Sequence, residues 1–236
     1  MAQDFIRSGV AGIDGVTFDA GLRAHMQRVF NYMAGGLALT GLLAFAVANT
    51  ALANLVFGTP FRWVVMLAPL GFIMYMNVRM QSLSASSLQT LFWCFCGAMG
   101  LSMGAIFLVF TNASIARAFF ITATTFGAMS LWGYTTRRDL TDFGAFLLMG
   151  VVGLMIACLV NIFLASTGLQ WVVSILGVAI FTGLTAFDVQ RIKQTFSEGW
   201  GSEANNKMAI FGAMSLYMNF INAFQFLLEL TGSRRN

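Results

Sequence analysis

Long apolar runs separated by short polar stretches dominate the chain. A membrane-spanning helix needs about 20 mostly apolar residues, and the chain contains a series of such runs. They lie at 29–50 (with an apolar extension to 57), 61–79, 88–110, 116–135, 143–165, 169–188 and 208–230. The runs are continuous, whereas the strands of a membrane barrel are short and alternate between apolar and polar residues. The pattern therefore predicts an all-α integral membrane protein, a bundle of seven transmembrane helices.

The composition supports this fold class. Hydrophobic residues make up 58% of the chain and charged residues 9%, whereas a soluble domain is about 25% charged. So few charges would not keep a globular protein of this length dispersed in water. The pattern predicts an N-terminal cytoplasmic or interfacial arm over 1–28, a single transmembrane domain over 29–230 and a short C-terminal tail over 231–236.

The distribution of Lys and Arg predicts the orientation in the membrane, because cytoplasmic loops carry an excess of these residues. With the N-terminus in the cytoplasm, nine of the 13 basic residues lie inside and four outside. The inside set is Arg7, Arg23, Arg28, Arg79, Arg137, Arg138, Arg191, Lys193 and Lys207, and the outside set is Arg62, Arg117, Arg234 and Arg235. No block of basic residues indicates a nucleic-acid partner.

The residue sets that membrane enzymes need are missing from the sequence. His25 is the one histidine, and no H-E-x-x-H zinc motif occurs. Among the acidic residues, only Asp188 and Glu229 lie within or at the ends of apolar runs, and neither has the G-x-G-D context of an intramembrane aspartyl protease. We therefore expect no enzymatic activity, and no haem or nucleotide cofactor.

Asp188 is the first candidate functional residue. A carboxylate at the centre of a spanning helix costs about 2.5–3.5 kcal/mol on insertion scales, so Asp188 is either a solvated helix end or a group that faces the protein interior. Arg79, at the end of the second predicted span, is a candidate ion-pair partner. Ser215, Asn219 and Asn222 follow the spacing i, i+4, i+7 and form a polar stripe on the last span, which predicts that this face points into the bundle.

Small residues recur along the predicted spans. Gly100 and Gly104 form a G-x-x-x-G pattern, which lets helix backbones approach closely in lipid. The pattern is typical of helix packing within one chain and also of homodimers. A monomer or a weak homo-oligomer is therefore expected.

Several stretches resemble a known family. The segment "SILGVAIFTGLTAFDVQRIK" at 174–193 is similar to the F-x-G-L-x-A-x-D-x-Q-R-I-K signature of the Bax inhibitor-1 (transmembrane Bax inhibitor motif) family. Stretches at 28–41, 122–144, 153–166 and 213–232 agree with the family in order and spacing. The resemblance spans nearly the whole chain and is nearest to the bacterial branch.

The resemblance implies a bundle with its last helix near the centre, in a bacterial inner membrane. It also implies a pH-modulated calcium leak, whose partners are the lipid bilayer, calcium ions and protons. In the family pattern, an Asp on the sixth helix and an Asp on the seventh share a proton and gate the pore. These positions map onto Asp188 and Asn219, with Arg79 as the ion-pair partner and Asn222 as a pore-lining group.

Asn219 departs from that pattern, because it replaces the second acid. The repulsion between two carboxylates is lost, so we expect a weaker or shifted pH response. Calcium prefers several charged oxygens, and Asp188 with Asn219 would form at most a weak, transient calcium site.

Two other interpretations stay open. Some bacterial relatives modulate a membrane-anchored ATP-dependent protease, a role that would depend on helix faces and on the arm over 1–28. Alternatively, Asp188 is a hydrogen-bonding centre that specifies the fold and gates nothing.

Overall fold

A computed structural model describes the backbone of residues 2–235 and the side chains of residues 20–197 and 199–235. This part of the chain folds into α-helices joined by short connections. The helices are α1 (Ala2–Ala48), α2 (Leu52–Phe57), α3 (Phe61–Arg79), α4 (Ala85–Val109), α5 (Asn112–Thr135), α6 (Thr141–Leu164), α7 (Thr167–Thr195) and α8 (Gly201–Thr231), with a 3-10 helix at Glu198–Trp200.

In the described residues, seven helices are long and apolar enough to cross a membrane: Ala20–Ala48 within α1, and α3 to α8. They confirm the seven predicted spans. The six-residue α2 accounts for the apolar extension after the first span. Below, "the Asp188 end" is the end of the bundle that holds the α3–α4, α5–α6 and α7–α8 connections, and "the Glu229 end" is the opposite one.

Helix α8 lies at the centre of the bundle. Of its most apolar window, 61% is buried, compared with 11% for α6 and 17% for α3. It packs against α1, α4, α5 and α7, whereas α6 packs on α7 and α3 packs on α4 and α2. The expectation of a central last helix is therefore confirmed, and α3 and α6 are peripheral.

The G-x-x-x-G pattern joins α4 to α1. A Cβ atom placed on Gly100 would lie 2.9 Å from the carbonyl oxygen of Thr40 and 2.8 Å from the Cβ of Leu43, and one placed on Gly104 would lie 3.0 Å from Val47. No side chain fits between the two backbones at Gly100. In this chain the G-x-x-x-G pattern therefore allows α4 to pack closely against α1 of the same chain.

Helix α7 continues two turns beyond Asp188, whereas the apolar pattern predicted its end there. The reason is that its polar last turns bind the α5–α6 connection. The Gln190 Nε2 donates to the Arg138 carbonyl (2.7 Å), and the Gln190 Oε1 accepts from the Leu140 N–H (2.8 Å). The Lys193 ammonium donates to a backbone carbonyl near the end of α5. Asp188 is therefore an interior position of α7.

Hydrogen bonds also fix both ends of α8. Near its first turn, Glu203 accepts from the Ala85 N–H that begins α4 (2.7 Å). After its last turn, the chain pairs with the α4–α5 connection: the Thr111 N–H donates to the Ser233 carbonyl (3.0 Å), and the Arg235 N–H donates to the Val109 carbonyl (2.8 Å). The C-terminal tail is therefore bound to the Glu229 end of the bundle.

Candidate functional site

Asp188 lies buried between α7 and α8, with 5% of the residue exposed. Its Oδ2 accepts two hydrogen bonds, from the Ser215 hydroxyl (2.6 Å) and from the Asn219 Nδ2 (2.7 Å). Its Oδ1 lies 3.1 Å from a guanidinium nitrogen of Arg191. Three donors thus surround one carboxylate, and two of them belong to the stripe predicted on the last span.

The ion-pair partner is Arg191, one helical turn beyond Asp188 on the same helix. The ion pair predicted with Arg79 requires a correction, because Arg191 is the cation within 4.0 Å of Asp188 among the described side chains. Arg191 also stacks over the Phe187 ring, 5.6 Å from its centroid. Its side chain is 51% exposed, so the pair joins a buried carboxylate to a half-exposed guanidinium.

Small residues bring the neighbouring helices close to this carboxylate. A Cβ atom on Gly133 of α5 would lie 2.8 Å from the Cα of Ala186, two residues before Asp188, and would approach the Ala186 carbonyl oxygen more closely still. On the other side, a Cβ atom on Gly212 of α8 would lie 3.0 Å from the Ile192 side chain. The backbones of α5 and α8 therefore fix the position of this part of α7.

The orientation of the Asn219 amide determines whether Asp188 and Asn219 can bind a cation together. Asn219 presents its amide N–H to Asp188, so the two residues do not offer a pair of oxygens to a metal ion in this conformation. Within the described residues, no three His, Cys, Asp or Glu side chains gather as metal ligands. A calcium ion at Asp188 would have to displace Arg191 and turn the Asn219 amide.

A cavity of about 360 Å³ adjoins the donors of Asp188. Arg191, Ser215 and Asn219 line it from α7 and α8, and Asn77 lines it from α3. Arg79, two residues beyond Asn77, is not in its wall. The polar group that α3 contributes to the site is therefore an amide, where the sequence predicted a guanidinium.

Two further cavities follow along α8 toward the Glu229 end. The next one, of about 330 Å³, shares Ile73 and Met218 with the first, and Ser102 also lies in its wall. The last one, of about 470 Å³, shares Gln225 with the second. The cavities thus form a row from the Asp188 site along α8, with α3 bordering the first two.

The last cavity is the most polar of the three in the row, and the other predicted stripe residue, Asn222, lies in its wall. Around it, the Gln170 side chain donates to Glu229, and an Arg234 nitrogen lies 3.6 Å from the same carboxylate. Asn222 therefore lies apart from Asp188, near a second carboxylate at the opposite end of the row.

Comparison of the sequence with known proteins assigns the chain to a family. The family model described as inhibitor of apoptosis-promoting Bax1 matches residues 22–236. The chain belongs to the Bax inhibitor-1 family. Its relatives include a Caulobacter vibrioides protein (43% identical, covering 99% of this chain and 98% of the relative) and a Rickettsia prowazekii protein (43%, 93% and 94%), both described as uncharacterized. The inner membrane protein YbhL of Escherichia coli K12 is 41% identical over 92% of this chain and 94% of its own length.

The match to the Bax inhibitor-1 family covers every residue of the site and of the cavities along α8. The site contains one buried carboxylate, an amide that donates a hydrogen bond to it, and an arginine that offsets its charge. The i, i+3 spacing of Asp188 and Arg191 is the sequence signal that could have identified this ion pair.

Proposed function

We propose that this Bax inhibitor-1 family protein is a passive, proton-modulated cation leak that carries calcium, with Asp188 as its gate. The observation that supports this most is the placement of a buried, ionisable carboxylate at one end of a row of cavities along the central helix. An ionisable residue within a membrane span is by default a candidate functional site.

The proposed gating follows from the charges around the first cavity. With Asp188 ionised, the charge of Arg191 is offset and the cavity wall is close to neutral. With Asp188 protonated, one carboxylate oxygen becomes a donor and Arg191 becomes an unpaired cation in the wall. An unpaired guanidinium repels a divalent cation, so we expect the leak to decrease as the pH falls.

The test is calcium entry into dye-loaded proteoliposomes over a series of buffers from acid to mildly alkaline pH, because intramembrane carboxylates are candidate proton relays. Asp188→Asn should give a low leak with no pH dependence, because Arg191 stays unpaired at every pH. Arg191→Gln should keep the leak high at acid pH. Arg79→Gln is the matched control, because it removes the same charge at the same end of the bundle, outside the cavity wall.

Two results would contradict the proposal. If folded protein gives no flux above empty vesicles at any pH, there is no leak, and Asp188 has a structural role. If the leak persists with an unchanged pH profile in Asp188→Asn, the gate lies elsewhere.

The proposed orientation places the N-terminus and the Asp188 end in the cytoplasm of a bacterial cell. The nine-to-four division of basic residues between the two ends supports it, and the inner-membrane description of YbhL supports the location. Alkaline phosphatase fused to the C-terminus should be active, because it would reach the outside. Inactivity of that fusion, together with activity of a cytoplasmic reporter at the same position, would reverse the orientation.

A further inference from the structure

An apolar cavity of about 300 Å³ lies on the opposite side of α8 from the polar stripe, and Met103 and Ile106 of α4 stand between it and the second cavity of the row. Helices α1, α4, α5 and α8 all contribute to its walls, and aromatic and aliphatic side chains make up most of the lining. Phe120 in its wall is 69% exposed on the protein surface, so the cavity opens sideways toward the bilayer. The proposed leak does not use it.

The interior of this cavity suits hydrocarbon. Thr40 is the polar side chain that α1 contributes, and its hydroxyl already donates to the Cys96 carbonyl (2.9 Å) and is hydrogen-bonded to the Tyr217 hydroxyl (2.7 Å). No hydroxyl in that wall therefore needs water or a polar ligand. A site lined almost wholly by apolar groups binds apolar ligands.

One end of the cavity carries positive charge. Phe107 lies in the wall, and its carbonyl accepts a hydrogen bond from the Arg235 guanidinium (2.9 Å). The other guanidinium N–H groups of Arg235 have no protein acceptor among the described residues, and the residue is exposed. Arg117, also exposed, lies one turn before Phe120 on the same face of α5. The charge lies where a lipid headgroup meets water.

We propose that this cavity binds one phospholipid, with an acyl chain inside and the phosphate against Arg235. The guanidinium fork matches phosphate oxygens. The Arg235 backbone N–H donates to the Val109 carbonyl, and this hydrogen bond holds the guanidinium beside Phe107 in the cavity wall. The ligand is therefore a membrane lipid that the tail and the cavity bind together.

Gly41 provides a direct way to fill the cavity. It lies in the wall, and a Cβ atom added there meets nothing within 4 Å. Gly127 on α5 is a matched control, because its added Cβ atom also meets nothing within 4 Å and it does not line the cavity. Gly41→Leu therefore occupies the acyl-chain space, whereas Gly127→Leu adds the same side chain elsewhere.

The experiment is a titration of detergent-purified protein with phosphatidylglycerol, followed by native mass spectrometry of the first bound lipid. A leucine side chain has four carbon atoms and takes the space of about four methylenes, each worth about a fourfold change in partitioning, so Gly41→Leu should weaken binding on the order of 100-fold. Gly127→Leu should bind like the wild type. Arg235→Gln should weaken binding of phosphatidylglycerol but not of a diacylglycerol with the same chains, which lacks the phosphate.

Equal binding by wild type, Gly41→Leu and Gly127→Leu would overturn the proposal. A loss of dimers in Gly41→Leu without a loss of lipid would assign the cavity to a second copy of this chain and would also overturn it. If Gly41→Leu does not fold, the lipid titrations of Arg235→Gln test the proposal instead. Equal weakening for the phospholipid and the diacylglycerol, or no weakening of either, would exclude the phosphate contact.

Discussion

Replacing Gly133 by alanine should loosen the packing that holds α7 in place beside Asp188. Gly133 of α5 lies against the backbone of Ala186, where an added Cβ atom would be 2.8 Å from the Cα atom and 2.9 Å from the carbonyl carbon. The obstructing atoms belong to a helix backbone, so no side-chain rotation can relieve the contact. Helices α5 and α7 must move apart.

The size of the effect follows from the distances. Non-bonded carbon atoms prefer a separation of about 3.5–4.0 Å, so the two helices must separate by roughly 1 Å. A gap of that size forfeits a quarter to a half of the dispersion energy along the interface, and overpacking of this kind costs about 1–3 kcal/mol. For a chain of this length each kcal/mol corresponds to about 2–4 °C in Tm, which gives a decrease of roughly 2–12 °C.

The assay is thermal unfolding in detergent, with Gly127→Ala in the same helix as the control. Gly127 has nothing within 4 Å of its added Cβ atom, so its variant should melt at or slightly above the wild-type temperature, because alanine favours the helix. If Gly133→Ala and Gly127→Ala melt within one degree or so of each other, the contact between α5 and α7 does not limit stability and the reasoning is refuted.

Three further predictions concern single side chains. Asn219→Asp places a second carboxylate beside the first, so the calcium leak should depend more steeply on pH; an unchanged profile in proteoliposomes would count against the proposed gate. Tyr217→Phe should lower the free energy of unfolding by about 1 kcal/mol, whereas Thr40→Val should lower it by about 1–3 kcal/mol because it leaves the buried Tyr217 hydroxyl unpaired. If chemical denaturation shows Tyr217→Phe to be the more destabilising change, the Tyr217 hydroxyl does not depend on Thr40 for its hydrogen bond. The Thr141 hydroxyl and backbone N–H donate to Asp139 and hold its pKa below the ordinary value. The ionised carboxylate therefore stabilises the folded state at pH values above the ordinary pKa. This stabilisation is lost as the pH falls through the lowered pKa. Carboxyl NMR titration of Thr141→Ala should show this pKa rising toward the ordinary value, and an unmoved pKa would contradict the contact.

The positions of the spans were predictable from the sequence because the bilayer sets a length that apolar runs must match. The predicted and observed ends of the helices differ most where polar residues extend a helix beyond its apolar run. Gln190 and Lys193 extend α7 past its apolar segment by binding the α5–α6 connection, and Glu203 lies in a polar first turn of α8 that binds the start of α4. Hydropathy does not register such contacts, since they depend on which connections meet in space.

The polar stripe was predicted in part. Ser215 and Asn219 do face Asp188, as their helical spacing indicated. Asn222 lies on the same side of α8 but one turn further, where the neighbouring groups are Gln170 and Glu229. Spacing within one helix predicts a face but not the depth at which each residue meets another helix. The cavities along α8 and the pairing of the tail with the α4–α5 connection depend on tertiary packing in the same way.

Asn219 changes how charge can be controlled at the site. Two carboxylates at hydrogen-bonding distance need a proton between them, and that proton is the natural control element of such a pair. One carboxylate beside an amide needs no shared proton, and here Arg191 offsets its charge from the cavity wall. Under the proposed gating, control would therefore lie with the Arg191 guanidinium, which is paired when Asp188 is ionised and unpaired when Asp188 is protonated. It follows that Arg191→Gln and Asn219→Asp should act in opposite ways on the leak: the first removes the cation that protonation exposes, and the second adds an acid that titrates with Asp188.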